Sequence, residues 1–303
     1  MIQPKIINNC NDGSDALPRL RIDINYWNTH DLPEFSDGPV CMTEELKYET
    51  IAKAGYSAVQ DGDPALCKRN GLSYTGQFRV NQVGDLDPKL KEWVDQGYDC
   101  ATIHLGWGME SEEEVHQLVE YVLNASSKSQ FPIYIETHRA TVTQDMWRTV
   151  QIVKKFPEIR FNGDFSHWYT GLEMVNGNWE DKLTFIQPVI DRVRFIHGRI
   201  SNPGSIQVTI ENQMEQPFVG HFREIWTRCF EGFLRTAKNG DYLPFTPELL
   251  PSEYYYARLI KGQNGNDIEE GDRWKEARLL CNIAKECWDD ASKRMDRSIT
   301  SVR

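Results

Sequence analysis

The chain has 303 residues, of which 40% are hydrophobic and 26% charged, and a formal net charge of −11. That length can bury a sizeable core, as one large domain or two smaller ones. The acidic balance argues against a broad face for a polyanion such as nucleic acid, and no apolar run approaches the roughly 20 residues of a membrane span.

The N-terminus, MIQPKIINNCNDGSD, lacks an apolar signal core, so secretion is not indicated. Seven cysteines, an odd number with no CxxC pair, fit reduced thiols in the cytoplasm better than a disulfide framework or a thiolate zinc site. Residues 1–18 are polar and read as a loosely held arm. Leu20–Trp27 is a first strand, and the Pro-, Asp- and Gly-rich segment Thr29–Val40 a long loop. Thr43 caps a helix that Gly55 ends. Ser57–Gln60 is a second strand, Asp61–Pro64 a turn, Ala65–Arg69 a short helix and Leu72–Phe78 a third strand. Asp87–Gln96 is a helix closed by Gly97, and Cys100–Leu105 is a strand. Ser111 caps the helix Glu112–Asn124, with Glu114 at the capping-box position. The acidic residues Glu112–Glu114 suit a solvated helix N-terminus.

The centre of the chain is Pro132–Trp168. Two apolar runs, Pro132–Ile135 and Arg160–Gly163, each end in an acid, Glu136 and Asp164, and a helical stretch, Thr143–Phe156, separates them. A helix joining parallel strands returns their C-terminal ends to the same edge, so both acids are expected together. Beyond a loop at Gly171–Trp179 the pattern continues. Asp181–Asp191 is a helix holding Pro188, and Val193–Ile196 a strand ending in His197-Gly198-Arg199. Ser201–Gly220 is a long loop and Phe222–Ala237 a helix. Leu243–Phe245 is a strand ending in Thr246-Pro247-Glu248, and Arg273–Met295 is a final helix. Eight strand–helix alternations without a linker favour a single-domain (β/α)8 TIM barrel over residues 20–303, after an arm at 1–19. An open doubly wound sheet is the alternative.

In a barrel, Glu136, Asp164, His197 and Glu248 close the last four strands and face one mouth. Three carboxylates and an imidazole make a hard site that suits Mn²⁺, Mg²⁺ or Co²⁺. Without a cation the carboxylates would repel one another. Singly, each of the four reads as readily as a helix cap or surface charge. Their order is what points to a metal.

The segments IETH, GDFSH, FIHGR and TPE, in that order on strands five to eight, resemble the xylose-isomerase-like TIM-barrel superfamily over roughly Leu20 to Met295. That superfamily includes sugar isomerases, ketose epimerases, hydroxypyruvate isomerases, inosose dehydratases and an AP-endonuclease branch. The resemblance implies a divalent metal, with Mn²⁺ expected first and Mg²⁺, Co²⁺ or Zn²⁺ as alternatives, bound by Glu136, Asp164, His197 and Glu248. It implies a Lewis-acid isomerase or epimerase in which Glu136 and Glu248 also move a proton through an enediolate. His167 and Arg199 then contact a small carbohydrate. The endonuclease branch needs an Asp-x-His that Ile206–Asn212 lacks. Family members are often dimers or tetramers, so a homo-oligomer is open.

His138 stands two residues beyond Glu136, hence on the same strand face. As a second base it would suit a lyase or dehydratase that eliminates from a keto-sugar or 3-keto-glycoside, the second function considered. A sugar-binding subunit without turnover is a third. His104 is a further substrate candidate. The bland reading makes each of these histidines and Arg199 a hydrogen-bonded structural residue. Trp107 and Trp168, with Tyr26 and Trp27, are either a stacking surface for a sugar or caps on the core. Tyr254–Tyr256 is a pocket wall or subunit contact, and Ser201–Gly220, with Gln207, a candidate lid.

Overall fold

The structure is a computed structural model that describes the backbone of residues 7–301 and side chains as far as residue 297. It is an eight-stranded parallel barrel wrapped by helices. Its elements are β1 (Cys10–Asn11), β2 (Arg19–Ile22), β3 (Ile24–Asn25), α1 (Glu44–Lys53), β4 (Ala58–Gln60), α2 (Pro64–Arg69), β5 (Ser73–Val80), α3 (Leu86–Gln96) and β6 (Ala101–Leu105). Then come α4 (Glu112–Ser129), β7 (Ile133–Glu136), α5 (Met146–Lys155), β8 (Phe161–Asn162), α6 (Ser166–Gly171), α7 (Trp179–Ile190) and β9 (Val193–Gly198). The chain ends with α8 (Pro217–Leu234), β10 (Asp241–Pro247), the hairpin β11 (Leu259–Lys261) and β12 (Asp267–Glu269), and α9 (Arg273–Ser301).

The first barrel strand is split at Asp23, and the split closes the ring. β2 pairs in parallel with β10, Leu20 opposite Leu243 and Ile22 opposite Phe245. β3 pairs in parallel with β4, Ile24 opposite Val59. The other strands follow in sequence order from β4 to β10. Alternation along each strand divides the side chains between two surfaces. Val59, Ile103, Ile135, Phe161 and Phe245 are among the buried apolar residues that build the core with the helices. Asn25, Gln60, Gln77, Thr102, His104, Glu136, Asn162 and His197 form the polar interior, which becomes a site at its C-terminal end.

Close packing fixes two glycines. A Cβ on Gly76 would stand 2.5 Å from the Trp93 indole of α3, and one on Gly198 would stand 2.4 Å from the Phe245 ring. The α4 capping box forms as the sequence implies, Ser111 and Glu114 satisfying each other's amides.

Several expectations are corrected. The described part of the arm is not loose. β1 pairs antiparallel with β10, and Ile7 and Cys10 are buried. Residues 1–6 lie outside the described residues. α5 begins at Met146 rather than Thr143, because the Thr143 hydroxyl is drawn back to donate to the Glu136 carbonyl at 2.6 Å. α7 runs through Pro188 to Ile190. α8 starts at Pro217, whose fixed φ and absent N–H suit a first turn. The short helix α6 and the hairpin β11–β12 had no sequence signal strong enough to read. Among the described residues, no helix is long and apolar enough to cross a membrane.

Candidate functional site

Glu136, Asp164, His197 and Glu248 arrive from the ends of β7, β8, β9 and β10. Each offers a ligand atom within 4.8 Å of the others'. His197 Nδ1 lies 3.3 Å from Glu136 Oε2 and 3.4 Å from Glu248 Oε2. His197 Nε2 stands 2.8 Å from Gln60 Oε1. The Gln60 amide nitrogen is spent on Thr102 at 2.9 Å, so this oxygen accepts from Nε2–H. That bond leaves the Nδ1 lone pair of the neutral ring facing the carboxylates, the tautomer a metal ligand needs. His197 Nδ1 is buried with no hydrogen-bond partner among the described residues, and the buried Glu136 Oε1 faces His104 Nε2 at 3.2 Å. An unpartnered buried ligand atom among three carboxylates fits a divalent cation.

Asn162 sets the pair further. Its amide donates to Glu136 Oε2 at 3.0 Å and its carbonyl oxygen accepts the His197 backbone N–H at 3.0 Å. Asn25 and Gln77 approach Glu248 Oε1 at 3.3 and 3.4 Å. Burial disfavours charge on Glu136, but His104 and His197 outweigh it and hold the carboxyl well below the usual range. Burial likewise lowers His197, but Glu248 and Glu136 prevail and push it up to about 9. A proton on His197 thus stands in for part of a cation's charge.

Arg199 is the second charge in this cluster. It ion-pairs with Asp164 and lies 3.1 Å from Glu248 Oε2. Its remaining bonds go to the Glu248 carbonyl, Ser166 Oγ at 3.0 Å and His167 Nε2 at 3.2 Å. These contacts engage all five N–H groups of the guanidinium. Tyr256 covers its face at 4.7 Å. Burial raises Asp164, but Arg199 and His167 dominate and keep it well below the ordinary carboxylate range.

A cavity of about 310 Å³ opens beside the four residues, lined in part by Trp27, Gln77, Arg79, His104, Glu136, His138, Glu248 and Tyr256. That size suits a small ligand. Trp27, Tyr254 and Tyr256 therefore do form walls, while Tyr255 points to solvent. Three imidazoles stack inward from this cavity, His104 to His138 at 4.3 Å and His138 to His167 at 3.8 Å between ring centroids.

Other sequence candidates stand elsewhere. Trp168 is fully buried against Phe165 and donates to the Thr143 carbonyl at 2.8 Å, so it belongs to the core rather than a substrate surface. His167 and Arg199 are also fully buried, are not among the residues lining this cavity, and both contact Asp164. Trp107 is half exposed at the rim, where Arg79 stacks on it at 3.9 Å. Tyr26 stacks on Tyr48 at 5.4 Å. The Ser201–Gly220 segment is pinned rather than poised. Gln207 is clasped to the Leu250 backbone at 2.9 and 3.1 Å, and Glu276 receives the Ile210 and Glu211 amides at 2.9 and 3.1 Å.

Sequence reasoning missed Gln60, Gln77, Asn162 and Arg79. Their only signal was a polar residue every second position in apolar strands, as in Gln77-Phe78-Arg79. Burial pulls the Arg79 guanidinium below its ordinary range, despite Glu136 and Glu110 nearby.

No family model and no curated protein matches the sequence. Among solved structures, a xylose isomerase-like TIM barrel protein from Mycobacterium smegmatis, in complex with magnesium, superposes with a TM-score of 0.55. It is 10% identical, and the match covers 89% of this chain and 97% of that one. The fold is that of the xylose isomerase-like TIM barrels. A probable 3-DHS dehydratase of petrobactin synthesis from Bacillus anthracis aligns over 86% of this chain and 99% of its own, at 12% identity and a TM-score of 0.49.

Proposed function

We propose that this xylose isomerase-like barrel is a divalent-metal-dependent enzyme that isomerises or epimerises a small carbohydrate by moving a proton at a carbon beside a carbonyl. One observation carries the reading. Glu136 and Glu248, from strands that are not neighbours, meet the same His197 nitrogen and both line the cavity. A divalent cation, Mn²⁺ first, held by Glu136, Asp164, His197 and Glu248 would supply Lewis acidity toward a carbonyl oxygen.

The chain's own groups do the rest. Glu136, held well below the usual carboxylate range with Oε1 3.2 Å from His104 Nε2, can take a proton. Glu248, held by Asn25, Gln77 and Arg199, can return one. Trp27, Phe78 and Tyr256 give the cavity aromatic walls.

An elimination with His138 as base is the weaker reading. Its Nδ1 accepts the Ala140 amide at 3.0 Å, so the neutral ring carries its proton on Nε2 and offers no lone pair there. The test is NMR in D₂O after turnover by Mn²⁺-loaded protein and a chelator quench, with free ketoses, ketose phosphates and 3-keto-glycosides. Deuterium beside the carbonyl with the skeleton intact is expected. Released aglycone would replace this reading with the lyase, and exchange in none of them would overturn it.

A further inference from the structure

His104, Glu136 and His138 also bring ligand atoms within 4.8 Å of one another, which suggests a second cation site sharing Glu136. The hydrogen bonds argue otherwise. Arg79 Nη2 approaches His104 Nδ1 at 3.3 Å, and a guanidinium only donates, so Nδ1 is the acceptor. His138 Nδ1 accepts the Ala140 amide. Both rings therefore carry their proton on Nε2, the opposite of His197, and present donors rather than lone pairs. His104 Nε2 is buried 3.2 Å from Glu136 Oε1, so its N–H is turned to that carboxylate.

Arg79 completes the wall. It lies directly opposite His104 in the β5–β6 register and lines the cavity. Its Nη1 is held by the carbonyls of Gly106 at 2.6 Å and Ala140 at 3.1 Å, and Trp107 supports its face. Nε and one Nη2 hydrogen have no partner among the described residues. In a chain of net charge −11, no carboxylate among the described residues forms an ion pair with it. The acids of the cavity are committed elsewhere: Glu248 to Arg199, Glu136 to the metal cluster, and Asp61 to the Trp27 indole at 3.2 Å. One side of the cavity thus offers a fixed positive charge whose remaining N–H donors have no acceptor among the described residues, with the His138 N–H beside it, while the His104 Nε2–H faces Glu136 Oε1 at 3.2 Å.

We propose that Arg79, positioned by His104 Nδ1, and His138 form a subsite for an anionic oxygen group of the substrate, a carboxylate or a phosphate, so that the carbohydrate is an acidic one. The inference rests on the proposed function only in taking this cavity as the substrate site. Binding, not turnover, tests it. Calorimetry on the full-length Mg²⁺-loaded protein compares gluconate, glucitol 6-phosphate and neutral glucitol. At least one anionic polyol is expected to bind about 10- to 100-fold more tightly than glucitol, as for hydrogen bonds to a charged group, and the stronger one identifies the anion.

Arg79→Gln should abolish that preference and leave glucitol unchanged, and Arg79→Lys should keep part of it. In the wild-type protein, the Nε2 resonance of His138 should shift with the anionic polyol in ¹⁵N NMR. Absence of an anion preference, a preference that survives Arg79→Gln, or an unmoved His138 resonance would overturn the proposal. An anion preference without deuterium exchange would sink the isomerase reading alone. Exchange without an anion preference would sink the subsite alone.

Discussion

At the scale of single residues, the orientation of an imidazole matters more than its presence. His104, His138 and His197 all reach the same mouth, but in the neutral rings only His197 turns a lone pair to the carboxylates, because Gln60 Oε1 accepts a hydrogen bond from its Nε2–H. Gln60→Leu should therefore weaken metal binding roughly 10- to 100-fold, the usual cost of losing an outer-shell partner. Thr102→Val, which touches only the far side of Gln60, should cost much less. Competition with a chelator measures both. Glu136→Gln, which removes a charged ligand outright, should exceed either. The motifs IETH, GDFSH, FIHGR and TPE could be read from the chain because an acid or imidazole at the end of an apolar run is conspicuous. Gln60 and Arg79 were not legible, since their roles depend on neighbours from other strands. The burial of His167 and Trp168 depends on α6, a helix of six residues with no side-chain cap to announce it.

At the scale of elements, much of the strand and helix order was legible because several helices have a strong start or stop signal, such as the Ser111–Glu114 box or Gly97 with its positive φ. The loops were not, because their course is set by distant partners: Gln207 by Leu250, the Ile210 and Glu211 amides by Glu276. The contact between β5 and α3 makes a separate prediction. Gly76→Ala would drive a methyl group into the buried Trp93 indole. It should destabilise the fold by about 1–3 kcal/mol, the usual range for overpacking. The urea midpoint should fall with an unchanged m-value. Ser111→Ala should cost about 1 kcal/mol, the worth of an N-cap.

For the whole molecule, the buried imidazoles make stability depend on pH. Burial lowers His138, reinforced by His167 and His104, and burial lowers His167 in spite of Asp164. Both stay neutral in the fold at a pH where the unfolded chain is already protonated. As pH falls below about 6.5, the unfolded state binds more protons and stability drops, by up to about 1.4 kcal/mol per pH unit for each ring. Above that pH their contribution is complete. Urea melts between pH 5 and 7.5 in chelator should show the slope, and His138→Gln should reduce it.

The split first strand carries a consequence for how the chain is made. β2 waits for β10, which a ribosome delivers on the order of ten seconds or more later. Until then every earlier strand belongs to an open sheet with bare edges, the kind of surface that pairs with other chains. The barrel cannot close on a fragment, so a truncation before Asp241 should leave no smaller folded protein, only a nascent sheet for chaperones to shield.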